Sequence, residues 1–493
     1  MKNNMTMMTD FYELTMSQTY FNSNKKDEIA VFDAFYRKNP QNGGYGIMGG
    51  LDKITDYINN LHFTKEDIAY LRSTNQFTEE FLKYLETFKF TGDIYAIPDG
   101  TPIFANEPLL TIKAPIIEAQ IIETAILSYL NSHICYTTAA RRVVEVAQNI
   151  GIMEFGARRA MGPEAALDAS KCALIAGCVG TSNVLAAKEN NQVALGTMAH
   201  SLVTEADSEY EAFLNYAKTY PNNCVLLVDT YDVLKSGVPN AIKVAKEYLI
   251  PNGYTLKGIR IDSGDLAYLS KEAKKMLVNA GLEDTKICLS NGLNETTIKS
   301  LINQGAVIDS IGLGDNIVLP DKARVGCVYK NVAIKKENTY VSRIKVSNDL
   351  SKAITPGYKK VYRLIDNQTG YALADIIALH DEKIPTECLT LIDPNDETNT
   401  KEITNYTIKP LQVSIYQAGK QIYLNPSLKE KQEHCNKYMQ TLYPEVKRLE
   451  NPHTYYVDLT KKLLMLKKES TALGARAAPA ATAPRFLSAA LTR

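Results

Sequence analysis

The chain has 493 residues, 45% hydrophobic and 22% charged, with Lys+Arg and Asp+Glu balanced at 55 each. That is enough apolar mass for two or three domains, and nothing in the overall charge suggests a surface for nucleic acid or an anionic membrane. No apolar run nears the roughly 20 residues that span a bilayer, the eight cysteines form no CxxC pair, and no signal-like segment opens the sequence, so the expectation is a reduced cytoplasmic protein acting on small molecules.

Residues 1–130 mix patterns. "DKITDYINNL" and "TEEFLKYLETF" predict amphipathic helices, whereas "DIYAIPDGTPIFANEPLLTIKAP" is extended and punctuated by Pro and Gly, which together predict an N-terminal α+β domain. From 131 to 345 a short apolar strand, a polar or Gly-rich turn and a helix recur, as in "GIMEFGARRAMGPEAALDASKCALIAG", "YTLKGIRIDSGDLAYLSKEAKKMLVNAG" and "TKICLSNGLNETTIKSLINQG". In the second, Leu266, Leu269, Ala273, Met276, Leu277 and Ala280 fall at three- and four-residue intervals, one helical face for a sheet. "NCVLLVDTYDV" and "AVIDSIGLGDNIV" add strands, and "VAL" before His200 reads as the end of another.

Repeated strand–turn–helix units imply parallel strands, in a (β/α) barrel or an open doubly wound sheet. The barrel is favoured because polar residues follow nearly every strand: Arg158 and Arg159, His200, Asp229, Asp262, Ser263 and Asp265, Ser290 and Asn291, Gly312 and Gly314. A barrel gathers all its strand ends on one face, an open sheet only those at its switch point. Residues 346–467 turn strand-like and then helical, with "KEKQEHCNKYMQTLY" the clearest helix, and are expected to return to the N-terminal domain. Residues 468–493 shift to an Ala-, Pro- and Arg-rich composition that predicts a disordered tail foreign to the rest.

Several strand ends carry two readings. The "GLGD" turn allows backbone N–H groups close to a phosphate, or is simply a turn. "DSGD" suits Mg²⁺ on a diphosphate, ribose hydroxyls, or helix capping. Arg158 and Arg159 suit an anion or the open surface. His200 is a base, ligand or nucleophile, or a satisfied structural residue.

The ordered stretches "MTDFYELTMSQTYF", "VFDAFYRKNPQNGGYGIMGGLDKITDYI", "FGARRAMGPEAALDAS", "GTSNVLAA", "GTMAHS", "GIRIDSGDLAYLS" and "KAITPGYKKVYRLI" resemble the nicotinate phosphoribosyltransferases nearly end to end, through about residue 465. The resemblance implies an irregular (β/α) barrel of the type II phosphoribosyltransferase kind with an N-terminal α+β domain completed by C-terminal segments. It implies transfer of phosphoribosyl from 5-phosphoribosyl-1-pyrophosphate to nicotinate, coupled to ATP as co-substrate in the manner of a ligase, with Mg²⁺ and a homodimer with shared sites. His200 of "GT-x-AH-S" would be the phosphohistidine; Tyr12 would stack on the pyridine ring from the partner subunit; Thr197 and Arg260 would contact nicotinate. Arg158, Arg159, Asp262, Ser263 and Asp265 would bind substrate, and Ser290, Asn291, Gly312 and Gly314 phosphate. One departure is Asp315, where the family commonly has threonine: a carboxylate beside phosphate repels it unless a cation intervenes.

Overall fold

The computed structural model describes residues 4–320, 324–345, 354–394 and 396–477. Six strands, Gly151–Glu154, Gly180–Thr181, Val225–Leu227, Gly258–Ile261, Lys286–Leu289 and Ser310–Leu313, form one wholly parallel sheet. In space the order runs Gly180, Gly151, Ser310, Lys286, Gly258, Val225, an irregular (β/α) barrel in which, among the described residues, the first and last strands of that order make no ladder with each other. Each strand is short and apolar, and three of the helices that follow start on a side-chain cap: Asn183 accepts from Ala186 N, Asp265 from Tyr268 N, and Asn294 from Thr297 N. These caps satisfy N–H groups that have no partner inside the helix. The helix Leu266–Asn279 buries Leu266, Ala273 and Leu277 against the sheet, with Leu269, Met276 and Ala280 half-buried at the edge of the same core.

The second core lies under a seven-stranded antiparallel sheet assembled from distant parts of the chain. Its order is Thr339–Ser342, Val328–Lys336, Ile29–Phe35, Leu110–Pro115, Asp93–Ala96, Val413–Gln417 and Lys420–Gln421. The C-terminal segment thus completes the N-terminal domain. A further four-stranded sheet, Tyr406–Pro410, Lys359–Asp366, Ala372–Leu379 and Val457–Leu459, is tied to the N-terminal half by Lys359, which pairs with Asp33, and by Arg363, which pairs with the buried Asp375 of its own sheet and donates a further N–H, 2.9 Å, to the carbonyl of Pro102.

Four expectations change. The helix Glu123–Ala147 is continuous across the division placed at residue 130: Ile126, Leu130 and Ile134 pack in the N-terminal core, Ala140, Val143 and Ala147 in the barrel core. The barrel ends with the helix Asp315–Val318 and not at 345, because from Val328 the chain is again in the N-terminal sheet, paired with Ile29–Phe35. Residues 193–195 are not a strand. Leu195 makes one bond, N–H to the Thr181 carbonyl at 2.9 Å, and lays its side chain over Gly180, where no Cβ stands in its way. Lastly, the helix Lys461–Ala477 runs beyond residue 468, where the foreign tail was expected to begin; residues 478–493 of that tail lie outside the described residues.

Candidate active site

Arg260, in the strand Gly258–Ile261, is the hub. Its Nε donates to Ser290 Oγ at 2.9 Å, Nη1 to Thr197 Oγ1 at 3.1 Å and to the Met198 carbonyl at 3.3 Å, and Nη2 to Asp262 Oδ1 at 3.3 Å. Four of its five N–H donors are therefore engaged, and one on Nη2 has no partner among the described residues. The guanidinium carbon lies 5.8 Å from the ring centre of Phe155, within cation–π range. A side chain held on so many sides is preorganised, and its remaining Nη2–H can give a carboxylate one charge-assisted hydrogen bond.

Beside it His200 is the first residue of the helix His200–Glu205, not the end of a strand. Its ring is 42% exposed, and Nε2 lies 3.1 Å from Oδ1 of the buried Asp229. Asp229 also accepts through Oδ2 from the Asp262 N–H at 3.1 Å and from Ser263 Oγ at 2.6 Å. A carboxylate only accepts, so the proton of the neutral imidazole is assigned to Nε2, and Nδ1 keeps the lone pair. The arrangement is a nucleophilic nitrogen oriented from behind by a buried acid.

Around this pair the turns differ in what they can offer. Asp262 Oδ1 takes Arg260 and Ser290, while its Oδ2 has no partner among the described residues. Asp265 caps its helix, 3.0 Å from the Tyr268 N–H, which is the capping alternative realised. Asn291, exposed, adopts φ +104°. Gly312 leaves room for the Phe155 ring, and Gly156 allows the Gly314 carbonyl to within 2.8 Å of where a Cβ would sit. Arg159 Nε pairs with Asp315 Oδ1 at 3.3 Å, both more than half exposed, so a cation does intervene beside the carboxylate that departs from the family pattern. Arg158 is exposed, without a partner among the described residues.

Thr197, His200, Asp229, Arg260, Asp262, Ser263 and Ser290 thus form one network. Tyr12 does not join it: it sits in the helix Phe11–Asn22, half-exposed, its phenol pushed well above the usual range by burial and by Glu123, Glu13 and Asp10. Phe155 and the acid role of Asp229 escaped the sequence reading. The available signal for Asp229 was a lone acid directly after the apolar run "VLLV".

Three family models cover the chain: the nicotinate phosphoribosyltransferase N-terminal domain at residues 7–131, the family model at 150–369 and the C-terminal domain at 358–467. The nicotinate phosphoribosyltransferase of Bacillus subtilis (strain 168) is 40% identical over 459 residues, 93% of each chain. The chain belongs to the nicotinate phosphoribosyltransferase family. A Caenorhabditis elegans nicotinate phosphoribosyltransferase is 34% identical over 93% of this chain and 92% of its own length. The crystal structure of human nicotinic acid phosphoribosyltransferase superposes with a TM-score of 0.81 at 26% identity, over 94% of this chain and 99% of that one. A nicotinate-nucleotide pyrophosphorylase from Pyrococcus furiosus, TM-score 0.70 at 22% identity over 90% and 97%, shares the fold, a barrel of the type II phosphoribosyltransferase kind. No helix among the described residues is long and apolar enough to cross a membrane.

Proposed function

We propose that this chain transfers phosphoribosyl from 5-phosphoribosyl-1-pyrophosphate to nicotinate, giving nicotinate mononucleotide and pyrophosphate in NAD salvage, with ATP hydrolysis coupled through a phosphohistidine at His200. The observation that carries the reading is the Arg260 hub set beside the His200–Asp229 pair, in a chain of this family. The free Nη2–H of Arg260 takes one oxygen of the nicotinate carboxylate. Thr197 accepts from Arg260, and its O–H, which lies at a long 3.5 Å from the Met198 carbonyl, turns to donate to the other. Nicotinate's ring nitrogen attacks the anomeric carbon of the ribose as the pyrophosphate leaves, so the protein needs no glycosyl intermediate; it positions the reactants and neutralises the leaving group.

His200 Nδ1 accepts the γ-phosphoryl group of ATP while Asp229 holds the Nε2 proton and stabilises the cationic ring. Among the described residues no cluster of three or more His, Cys, Asp or Glu side chains is arranged to hold a metal ion. The residues fit Mg²⁺ that arrives with the phosphates, held by one or two carboxylates. Asp262, through its unpartnered Oδ2, and Asp265 would hold it, and it would supply charge neutralisation on the diphosphate. The turns at Arg158–Arg159, Ser290–Asn291 and Gly312–Gly314 contribute the remaining phosphate contacts. Tyr12 acts in the pocket of a second copy: with Phe11 at 55%, Tyr12 at 47% and Met16 at 36% exposure, its helix presents the apolar face of a homodimer interface.

The test is a nicotinate mononucleotide assay with and without ATP, with nicotinamide as the competing base, alongside transfer of label from γ-labelled ATP to the protein in acid-labile, base-stable form. Equal turnover of nicotinamide, or no protein-bound label, defeats the respective half of the proposal.

A further inference from the structure

Glu154 ends the strand Gly151–Glu154 and is fully buried. Among the described residues no Lys, Arg or His pairs with it. Its carboxylate instead gathers three donors from three elements: the Gly156 N–H of its own turn, Ser170 Oγ of the helix Pro163–Ala176 at 2.8 Å, and Thr181 Oγ1 of the neighbouring strand at 2.6 Å. A buried carboxylate without a cation is expensive. If this corner only had to be filled, an apolar side chain would do so more cheaply.

What the charge organises is a set of turns at one end of the barrel. Glu154 Oε1 holds Gly156, and Gly156 opens the short helix Ala157–Arg159 that carries Arg158 and Arg159, with Arg159 N–H on the Gly156 carbonyl at 2.8 Å. Gly156 also lies against the Gly314 carbonyl, and Phe155 N–H donates to the Leu313 carbonyl at 2.6 Å. Thr181, oriented by Glu154, accepts from the Asn183 N–H at 3.0 Å, and Asn183 caps the next helix. One acceptor-only group therefore sets the turns after three adjacent strands. Gln in its place would turn an NH₂ toward donors.

We infer that Glu154 is a positioning residue for the phosphoribosyl donor, holding the Arg158–Arg159 turn and the Gly312–Gly314 turn in one fixed relation so that they grip the same anion. The inference rests on the reaction proposed above.

Glu154→Gln and the milder Thr181→Val, which removes one donor to Glu154 and the acceptor of the Asn183 N–H and keeps the packing, are compared with wild type for KM of each substrate, for donor affinity by calorimetry, and for melting temperature. The expected result is a donor KM and Kd raised about tenfold in Glu154→Gln and about threefold in Thr181→Val, with nicotinate KM within twofold of wild type. In an Arg158→Ala/Arg159→Ala background, Glu154→Gln is expected to add less than threefold. Donor affinity unchanged in both variants, nicotinate KM rising in parallel, or full additivity with the arginine changes would overturn the inference. Should Glu154→Gln not fold, Thr181→Val decides alone by the same criteria. A wild-type protein that neither binds the donor nor turns over sinks the reaction reading itself, and the inference with it; wild-type binding with unchanged variants sinks only the inference.

Discussion

At the scale of single residues, the proposed function gives Arg260 and His200 separate tasks, and mutation tells them apart. Arg260→Ala removes the partner that orients Thr197 and, under the proposed function, would leave the nicotinate carboxylate without its cation. It is expected to weaken nicotinate binding by about 2–3 kcal/mol, roughly a hundredfold in KM, while label from γ-labelled ATP still appears on the protein. Unchanged nicotinate KM would remove Arg260 from the base site. His200→Asn retains a side-chain N–H for Asp229 and has no nitrogen able to take a phosphoryl group. ATP consumption should stop and a slow, ATP-independent synthesis of nicotinate mononucleotide should remain, measured as the ratio of ADP to mononucleotide formed. A variant that still consumes ATP in step with product would place the phosphoryl acceptor elsewhere.

At the scale of elements, the helix Phe11–Asn22 has a pH dependence built into its docking. Glu13 is fully buried under it, held by Thr9 and by Thr124 Oγ1 at 2.7 Å, and burial, with smaller contributions from Glu123 and Asp10, raises its pKa from 4.5 to about 7. The folded protein therefore keeps this proton up to about pH 7, whereas the unfolded chain releases it near 4.5. Between those values the folded state binds more protons, so stability falls as pH rises through the window and levels off above it. The loss amounts to at most about 3 kcal/mol. Glu13→Gln, neutral at every pH, should flatten the difference between melting temperatures at pH 5 and pH 8. A wild-type difference that survives the substitution would assign the effect to another group.

At the scale of the molecule, the N-terminal domain is not a unit of the chain. The strand Asp93–Ala96 pairs with Val413–Gln417 and Ile29–Phe35 with Val328–Lys336, while Lys431 reaches back to Asp52 and Asp99 at 2.6 and 2.9 Å. Residues 1–130 expressed alone keep Asp33, Asp52 and Asp99 without their lysines and lack two of the strands that flank their own. They are expected to lack cooperative unfolding by circular dichroism; a cooperative melt would show that the domain closes without its C-terminal half. The exposed Phe11, Tyr12 and Met16 lead to the other whole-molecule expectation, a dimer of two identical chains by sedimentation at assay concentration. A fully active monomer would place Tyr12 outside the catalytic site.

What the amino-acid order determined by itself is local. The strand–turn–helix repeats, the caps at Asp265 and Asn183, the apolar face of Leu266–Asn279 and the polar residues gathered at strand ends all follow from neighbours within a few positions, where propensity and periodicity act. The motifs around Arg260 and His200 were legible for the same reason, each lying within one short stretch. Tertiary structure decided the rest. It turned the apolar "VAL" before His200 into a covering loop, because Leu195 found Gly180 to lie on; it made Asp229 the partner of His200, 29 positions away; and it gave Glu154 three donors from elements that no local pattern connects. It also drew residues 328–342 and 413–421 into a sheet begun at residue 29. Strand partners are chosen by backbone hydrogen bonds and by which apolar faces remain uncovered, and neither is written in the residues on either side of a strand.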